Sequence, residues 1–381
     1  MAQERPTFEF RGPEAGRVSS ADRPHRTPNN SSSLDPRVAN ASSSNIILVR
    51  PDGIGDQVLC LPVATALRRL IPHARIAFLS SAYAAPLFEH HPDVDEVVAM
   101  TGHESLRELV GLFRHGFDAA VFLKPFRRLM MAAWLARVPL RVATGYRWYS
   151  LFANRRVYQH RSDFSKHETD YNMGLLAGLG LDGGSPARPS LVLTHEERQS
   201  AVRRTAAVPA PRVVLHPGGF AARQWHGARY WSLARRLIDG GFGVVLTGTA
   251  AERERFYAER GVLPDTPGML DLMGQLSVRE LMGVIGASHA IVSGATGPAH
   301  LAAALGVPTV SLFDPRRNNL PTRWRPLGNG VVLRPDVPTC EKCVYEACPY
   351  WDCLDRIDPD IVLQHLRDIV TRQEPLRVLH V

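Results

Sequence analysis

The chain has 381 residues, 45% of them hydrophobic and 22% charged, which is the composition of a soluble globular protein long enough for two domains. No run approaches the about 20 consecutive apolar residues that a membrane-spanning helix requires, and a collagen-like or wholly disordered chain is excluded. Lys and Arg number 45 against 37 Asp and Glu, and the net charge of +8 indicates anionic partners: phosphates, an acidic lipid surface or nucleic acid.

Residues 1–44 are rich in Pro, Ser, Asn and Arg and show no apolar periodicity, so they predict a disordered tail. The tail has no apolar segment of the kind that a secretory signal peptide needs. Two roles stay open for it: a flexible tail outside the chemistry, or a tether to a membrane or partner.

Strands and helices alternate from residue 45 onward. Short apolar runs predict strands at 46–49, 74–79, 94–98 and 119–123, and apolar residues at helical spacing predict helices over 58–67 and 104–114. The pattern restarts after a Gly/Pro/Ser-rich stretch at 180–190. There it predicts strands at 213–215, 243–246, 290–292 and 309–313, and helices at 230–239, 252–260, 278–285 and 299–305.

This alternation predicts an α/β protein with parallel sheets, built from two successive Rossmann-like, doubly wound domains with the ligand in the cleft between them. The predicted boundaries are 45–185 for the first domain and 186–335 for the second. Residues 336–381 hold a cysteine cluster and a C-terminal helix.

Three small-residue turns follow predicted strands, where open α/β sheets bind their ligands. In the first turn, 53–56, Asp56 is either a helix N-cap or a general base. In the second, Gly218 and Gly219 with the nearby Arg223 suit a diphosphate, although a tight turn with a surface arginine fits equally. The three turns together indicate a nucleotide-type ligand.

The third turn runs from residue 293 into a predicted helix. Thr296 is placed to cap that helix or to donate to a phosphate, and Gly297 leaves room for a ligand. His300 is interpreted either as a phosphate contact or as a helix histidine whose hydrogen bonds are met inside the protein.

The segment from 114 to 161 carries ten basic residues and a single acid, Asp118. Its surplus of nine positive charges indicates either a solvated face or an anion-binding wall for a phosphorylated or lipid-linked acceptor. Interleaved Phe126, Trp148 and Tyr149 also fit nucleic acid, but no recognised nucleic-acid motif accompanies them. The basic residues are Arg114, Lys124, Arg127, Arg128, Arg137, Arg141, Arg147, Arg155, Arg156 and Arg161.

Four of the five cysteines lie within fourteen residues, as Cys340, Cys343, Cys348 and Cys353. Four converging thiolates suit a structural zinc or iron ion, but the spacing is not a strict paired Cys-x2-Cys repeat. Redox-labile disulfides and free thiols stay open as alternatives.

Four segments together resemble glycosyltransferase family 9, the ADP-heptose:lipopolysaccharide heptosyltransferases. They are residues 46–62 (IILVRPDGIGDQVLCLP), 216–225 (HPGGFAARQW), 271–277 (DLMGQLS) and 293–306 (SGATGPAHLAAALG). The cysteine cluster also resembles one found in part of that family. The resemblance implies a GT-B fold, with the acceptor on the first domain and the nucleotide-sugar on the second.

The resemblance also implies roles for single residues. Asp56 matches the family's catalytic base. The positions matching donor contacts are Gly218, Gly219, Arg223, Glu252 (with Glu254 as an alternative), Leu276 beside the adenine, Thr296, Gly297 and His300. Two departures stand out: Ala295 replaces the family's aspartate, and Arg223 replaces its lysine, which keeps the charge but changes its geometry.

The resulting expectation is metal-independent, inverting transfer of a heptose or related sugar from an ADP-sugar to a lipopolysaccharide core or other anionic glycan. Lys124, Arg127, Arg128 and Arg147 are expected to hold the acceptor at the cytoplasmic face of the membrane, without nucleic acid. The alternatives are a GT-B enzyme that uses or epimerises another nucleotide-sugar, and a catalytically silent binding homologue, which Ala295 favours.

Overall fold

A computed structural model describes residues 44–219, 223–260, 266–372 and 376–381. The prediction for the tail therefore falls outside the described residues, except at Ser44. This serine is buried, and its carbonyl accepts a hydrogen bond from the Arg75 N–H at 2.8 Å. The ordered chain thus includes the last residue of the predicted tail.

The first six strands form one parallel sheet in the order β3-β2-β1-β4-β5-β6. Ile46 of β1 pairs with Ile76 on one side and Ala119 on the other, so β1 is the central strand at which the strand order reverses. The strands are β1 Asn45–Val49, β2 Arg75–Ser81, β3 Glu96–Met100, β4 Ala119–Phe122, β5 Leu140–Thr144 and β6 Arg155–Val157.

Five helices accompany the first sheet within the described residues: α1 Ile54–Val58, α2 Leu61–Leu70, α3 Leu106–Phe113, α4 Arg127–Leu135 and α5 Glu168–Gly174. The helical pattern predicted over 58–67 is present but divided between α1 and α2, because the chain leaves the helix at Leu59 and Cys60 and restarts it with Pro62 in the first turn. The predicted helix 104–114 is two residues shorter at its start, since Ser105 and Glu108 form a capping box there.

The remaining strands form a second parallel sheet in the order β13-β12-β11-β10-β7-β8-β9. Its strand order reverses between β7 and β10, which are neighbours, with Ala290 beside Val213. The strands are β7 Arg212–His216, β8 Gly243–Leu246, β9 Met269–Asp271, β10 Ala290–Gly294, β11 Thr309–Leu312, β12 Gly330–Arg334 and β13 Arg377–His380.

The helices described with the second sheet are α6 His195–Arg204, α7 Gly227–Asp239, α8 Ala250–Arg260, α9 Val278–Gly286, α10 Gly297–Ala304, α11 Pro321–Trp324 and α12 Pro359–Arg372. The α/β class and the two doubly wound parallel sheets are confirmed. None of the helices among the described residues is both long and apolar enough to cross a membrane.

One hydrophobic cluster joins the two halves of the chain. It contains Ile54 and Val58 of α1 together with Val214 of β7 and Leu301 of α10. At this contact a Cβ atom on Gly297 would lie 3.1 Å from the Cβ of Ile54. Because α1 follows β1 and α10 follows β10, the carboxyl edges of the two central strands meet at this contact.

Candidate active site

The three turns singled out in the sequence all lie at the carboxyl edges of central strands. Asp56 follows β1, Gly218 and Gly219 follow β7, and Thr296 follows β10. These strands border the positions where each sheet reverses its strand order, which is where doubly wound sheets bind their ligands. The geometry therefore places one candidate site where the two sheets meet.

Asp56 is the third residue of α1, and Gly53 occupies the N-cap position without a capping hydrogen bond from a side chain among the described residues. The Asp56 carboxylate instead accepts a hydrogen bond from the Arg50 guanidinium. The N-cap alternative for Asp56 is therefore wrong. Burial raises the pKa of this carboxyl, although Arg50 opposes the shift, and a raised pKa makes the carboxylate a stronger base near neutral pH.

Arg50 is a fully buried cation at the end of β1, and it contacts three carboxylates. It donates to Asp52 at 3.0 Å, to Glu168 at 2.8 Å and to Asp56. Lys124, which follows β4, pairs with Asp52 Oδ2 at 3.0 Å. Buried charges are stable only when such partners compensate them, so these groups form one connected network.

Glu168 is the deepest carboxylate of this network, with a side chain that is 1% exposed. Besides Arg50 it accepts hydrogen bonds from Arg161 and from Arg323 Nε, both at 3.0 Å, and Arg323 Nη2 forms an ion pair with it at 2.9 Å. Burial alone would raise the pKa of Glu168, but the three guanidinium groups hold it at about 2. Since Arg323 lies on α11, this ion cluster also joins the two halves.

The sequence prediction missed Arg50, Asp52, Glu168 and Arg323. The first two carry a usable signal, because charged residues that flank a proline directly after a wholly apolar strand belong at the carboxyl edge of the sheet. Glu168 carries no such signal, since its partner Arg50 is 118 residues away in the chain.

The second turn is closed by Glu252 of α8. The Gly219 N–H donates to the Glu252 carboxylate at 2.9 Å, and a Cβ on Gly218 would lie 2.4 to 2.7 Å from that carboxyl group. Glu252 also forms reciprocal hydrogen bonds with Thr249 at the start of α8. Glu252, and not the exposed Glu254, therefore faces the turn.

The start of α10 completes this part of the site. Thr296 occupies the N-cap position without a capping hydrogen bond from its side chain, and its buried hydroxyl has no hydrogen-bond partner among the described residues. His300 is buried against α1, where a Cβ on Gly55 would lie 2.8 Å from the imidazole Cδ2. Burial lowers the pKa of His300 to about 3, so the imidazole is neutral, and its buried Nδ1 has no hydrogen-bond partner among the described residues.

Gly219 has φ of +138°, and a Cβ there would lie 2.1 Å from the Thr296 Cγ2. We expect Gly219→Ala to push Thr296 aside and to weaken ADP binding by about tenfold or more, as a lost ligand hydrogen bond would. Gly241→Ala is the matched control, because Gly241 also has a positive φ (+82°) but faces open space. Calorimetric titration with ADP compares the two variants, and equal affinities would show that the contact between Gly219 and Thr296 is irrelevant to the ligand.

Arg223 lies beside the cysteine cluster. Its guanidinium stacks 5.5 Å from the Tyr345 ring centroid, and its buried Nη2 has no hydrogen-bond partner among the described residues. It lines a small cavity of about 30 Å³ together with Asp314 and with Cys340, Cys343, Cys348 and Cys353. The cysteine cluster therefore adjoins the predicted donor residue Arg223.

All five cysteines are free thiols. The chemistry of the four clustered thiols suits zinc or iron, but no three His, Cys, Asp or Glu side chains among the described residues are arranged to hold a metal ion. Burial raises the pKa of Cys353 to about 11, so this thiol is protonated at neutral pH in the absence of a metal.

Several arginines of the basic segment 114–161 form hydrogen bonds or ion pairs within the protein. Arg141 and Arg156 donate to the backbone carbonyls of Phe152 and Ser150 at 2.7 and 3.0 Å, and Arg161 pairs with Glu168. The predicted acceptor residues are on the surface, as Lys124, Arg127, Arg128 and Arg147. Leu276, the predicted adenine contact, is half-buried and packs against the cluster that joins the two halves.

Two doubly wound parallel sheets that meet at the carboxyl edges of their central strands define a fold of two Rossmann-like domains. Residues 111–351 match the model of the family described as Glycosyltransferase family 9 (heptosyltransferase), and the chain belongs to this family. The match begins after the Asp56 turn, so the role of Asp56 depends on the geometry and on the motif around it.

Known relatives and structures agree with the family. Lipopolysaccharide heptosyltransferase 2 of Escherichia coli K12 is 26% identical over 71% of this chain and 82% of its own length. The structure of E. coli ADP-heptose LPS heptosyltransferase II superposes with a TM-score of 0.70 at 23% identity, covering 86% of this chain and 98% of that one. The iron-containing dodecameric glycosyltransferase TibC from enterotoxigenic E. coli superposes with a TM-score of 0.51 at 15% identity, covering 86% and 77%.

Proposed function

We propose that this enzyme transfers a heptose or related sugar, with inversion, from an ADP-sugar to a lipopolysaccharide core or another anionic glycan. The observation that carries this proposal is the contact between α1 and α10, in which Gly55, the neighbour of Asp56, lies against Gly297, the neighbour of Thr296. The printed names of the relatives, which include ADP-heptose and lipopolysaccharide, support the choice of donor and acceptor class.

In this reaction the Asp56 carboxylate accepts the proton of an acceptor hydroxyl while the hydroxyl oxygen attacks the anomeric carbon from the side opposite the diphosphate. The bond from the anomeric carbon to the diphosphate breaks, and ADP leaves with the electron pair. Arg223, the Thr296 hydroxyl and the N-terminus of α10 supply positive charge and hydrogen bonds to that leaving group. The neutral imidazole of His300, whose buried Nδ1 has no hydrogen-bond partner among the described residues, would add a hydrogen bond to that leaving group.

The acceptor would approach along the carboxyl edge of the first sheet. Arg127, Arg128 and Arg147 are exposed there, and the exposed Trp148 and Leu151 lie in the same region. Basic side chains next to exposed aromatic and aliphatic ones fit the surface of an anionic membrane, where they bind by charge and by shallow insertion. We therefore place the enzyme at the cytoplasmic membrane face, bound peripherally.

The test is mass spectrometry of products after incubation with a panel of nucleotide-sugars and a heptose-free lipopolysaccharide core extract. We expect a mass gain of one heptose with ADP-heptose and none with UDP-N-acetylglucosamine. Ala295 replaces the aspartate expected in the donor motif, so the panel includes other ADP-sugars. Tight ADP binding without any transfer would instead identify a silent binding homologue.

We propose a structural zinc or iron ion at Cys340, Cys343, Cys348 and Cys353, although their present arrangement is not that of a formed site. The likeness to the iron-containing TibC supports the choice of metal. The 223–227 loop is joined to residues after this cluster, through hydrogen bonds from Trp225 to the Ile357 carbonyl and from His226 to Asp355. A bound ion would therefore help to fix the position of Arg223.

We expect the purified protein to carry close to one zinc or iron per chain, and a chelator to lower its melting temperature. Cys343→Ser should remove the metal, whereas Cys60→Ser, which changes the buried thiol of the first half, should keep it. Metal analysis by mass spectrometry and thermal melts provide the two measurements. Metal-free protein with four freely titratable thiols would contradict the proposal.

A further inference from the structure

We propose that Glu168 is a positioning residue for the reaction: together with Arg323 it sets how much of the Arg50 guanidinium is available to Asp56. This inference rests on the proposed role of Asp56 as the base and adds an ion cluster, around Glu168, that adjusts the basicity of Asp56. The contact between Arg50 and Asp56 is thereby controlled from the other half of the protein.

The first step of the inference concerns Arg50. Its three nitrogens donate to three different carboxylates: Nε to Asp52, Nη1 to Glu168 and Nη2 to Asp56. The side chain is 2% exposed, so water does not supply alternative partners. If one of these carboxylates loses its charge, the guanidinium therefore interacts more strongly with the other two.

The second step concerns the fixation of Glu168. One of its oxygens accepts from both Arg50 and Arg161, and the other accepts from Arg323. With three cations around one carboxylate, Glu168 stays ionised throughout the working pH range, since its pKa is held at about 2. A permanently charged, immobile carboxylate is able to hold Arg50 in one orientation.

The third step concerns Arg323, which comes from α11 of the second half. The segment around it is joined to the first half by further hydrogen bonds: Thr322 to the Phe164 carbonyl at 3.2 Å, and His167 with the Arg325 carbonyl at 2.9 Å. Arg323 also donates to the Arg161 carbonyl at 3.1 Å. The ion cluster around Glu168 thus depends on how the two halves are seated on each other.

The charged and titratable groups around Asp56, Arg50 and Glu168 come from every element packed against them. They are Arg50 and Asp52 after β1, Cys60 before α2, Lys124 after β4, Arg161 and His167 before α5, His300 of α10 and Arg323 of α11. Of these, His300 and His167 are kept neutral by burial, which lowers both of their pKa values, and burial raises the pKa of the Cys60 thiol. Since burial raises the pKa of the Asp56 carboxyl while the guanidinium groups lower that of Glu168, Asp56 takes up a proton before Glu168 as the pH falls.

Glu168→Gln and Arg323→Gln should shift the pKa of the Asp56 carboxyl in opposite directions. Glu168→Gln removes a negative charge and leaves Arg50 more available to Asp56, so the Asp56 carboxyl becomes more acidic. The acid limb of the kcat/KM profile should then move down by about one pH unit, and kcat should fall about 3- to 10-fold because the base is weaker and less well held. Arg323→Gln removes a positive charge, so the acid limb should move up by about half a unit.

Two readouts are used: the pH profile of transfer from ADP-heptose to the core extract, and ¹³C NMR titration of labelled aspartate carboxyls, with Asp56 assigned by its absence in Asp56→Asn. The matched control is Glu197→Gln, which breaks another partly buried ion pair, to Arg279, far along the chain from the network. This control should keep the acid limb and the Asp56 titration of the wild type. If Glu168 had a merely structural role, Glu168→Gln would show the same unchanged pH profile and titration as Glu197→Gln.

Opposite shifts in Glu168→Gln and Arg323→Gln support the inference, and an unchanged Asp56 titration in both overturns it. If Glu168→Gln does not fold, Arg323→Gln decides alone, because its side chain is nearer the surface. Loss of turnover in Asp56→Asn with no shift in the other variants refutes the positioning role while the proposed reaction stands. Full turnover in Asp56→Asn would refute both the proposed role of Asp56 as the base and this inference.

Discussion

Asp56→Asn should reduce turnover by about 10²- to 10⁴-fold, the usual contribution of a general base, while ADP affinity stays nearly unchanged. The affinity is preserved because Asp56 belongs to the first half, and the predicted ADP contacts follow β7 and β10 of the second. Initial-rate kinetics and calorimetric titration with ADP measure the two quantities on the same protein.

Asp118→Asn is the matched control for Asp56→Asn. Asp118 is an aspartate of the same sheet at the opposite edge, where its carboxylate accepts from the Asn45 N–H at 2.8 Å. This variant loses a hydrogen bond near β1 without touching the carboxyl edge, so it should keep its turnover. Near-normal turnover in a folded Asp56→Asn protein would leave this carboxylate with only a structural pairing to Arg50.

Arg223→Ala should raise the dissociation constant of ADP by about 10- to 150-fold, which corresponds to the 1.5–3 kcal/mol typical of a hydrogen bond to a charged group. The reason is that one guanidinium nitrogen, Nη2, is buried and has no hydrogen-bond partner among the described residues, so a diphosphate would supply the missing acceptor. Calorimetry with ADP at two salt concentrations measures the effect.

The control for this prediction is Arg127→Ala/Arg128→Ala, which removes two exposed charges from the first half. These substitutions should leave ADP binding alone and raise the apparent KM for the acceptor, most clearly at low salt, where exposed charges are least screened. Loss of ADP affinity in this double variant, with normal affinity in Arg223→Ala, would show that the donor binds to the first half, and would refute the proposed reaction geometry.

Sequence patterns located the central strands correctly because each is buried on both faces and therefore reads as an unbroken apolar run. The same criterion failed for β5 and β6, whose arginines conceal the strand pattern. In the structure Arg141 and Arg156 donate to backbone carbonyls, so arginines are accommodated within these strands. Strand β3 was placed two residues too early, since its register depends on pairing with β2.

The turns of the site were predictable for the same reason as the strands that precede them, but their electrostatics were not. Arg161 counted as one more positive charge of a basic wall, whereas it compensates the buried Glu168. His300 was weighed as a phosphate contact without regard to its charge, whereas burial keeps the imidazole neutral, so that such a contact is a hydrogen bond and not an ion pair. Both corrections depend on residues that are distant in the chain, which local composition does not reveal.

The close approach of Gly55, Gly297 and His300 has a consequence for how this sequence can change over time. A Cβ on Gly55 would meet both the imidazole of His300 and the Cα of Gly297, at 2.8 and 3.4 Å. A larger side chain at Gly55 is therefore compatible with the joined halves only if the ring at position 300 shrinks or moves as well. Substitutions at positions 55 and 300 that natural selection accepts should appear in combination and not singly.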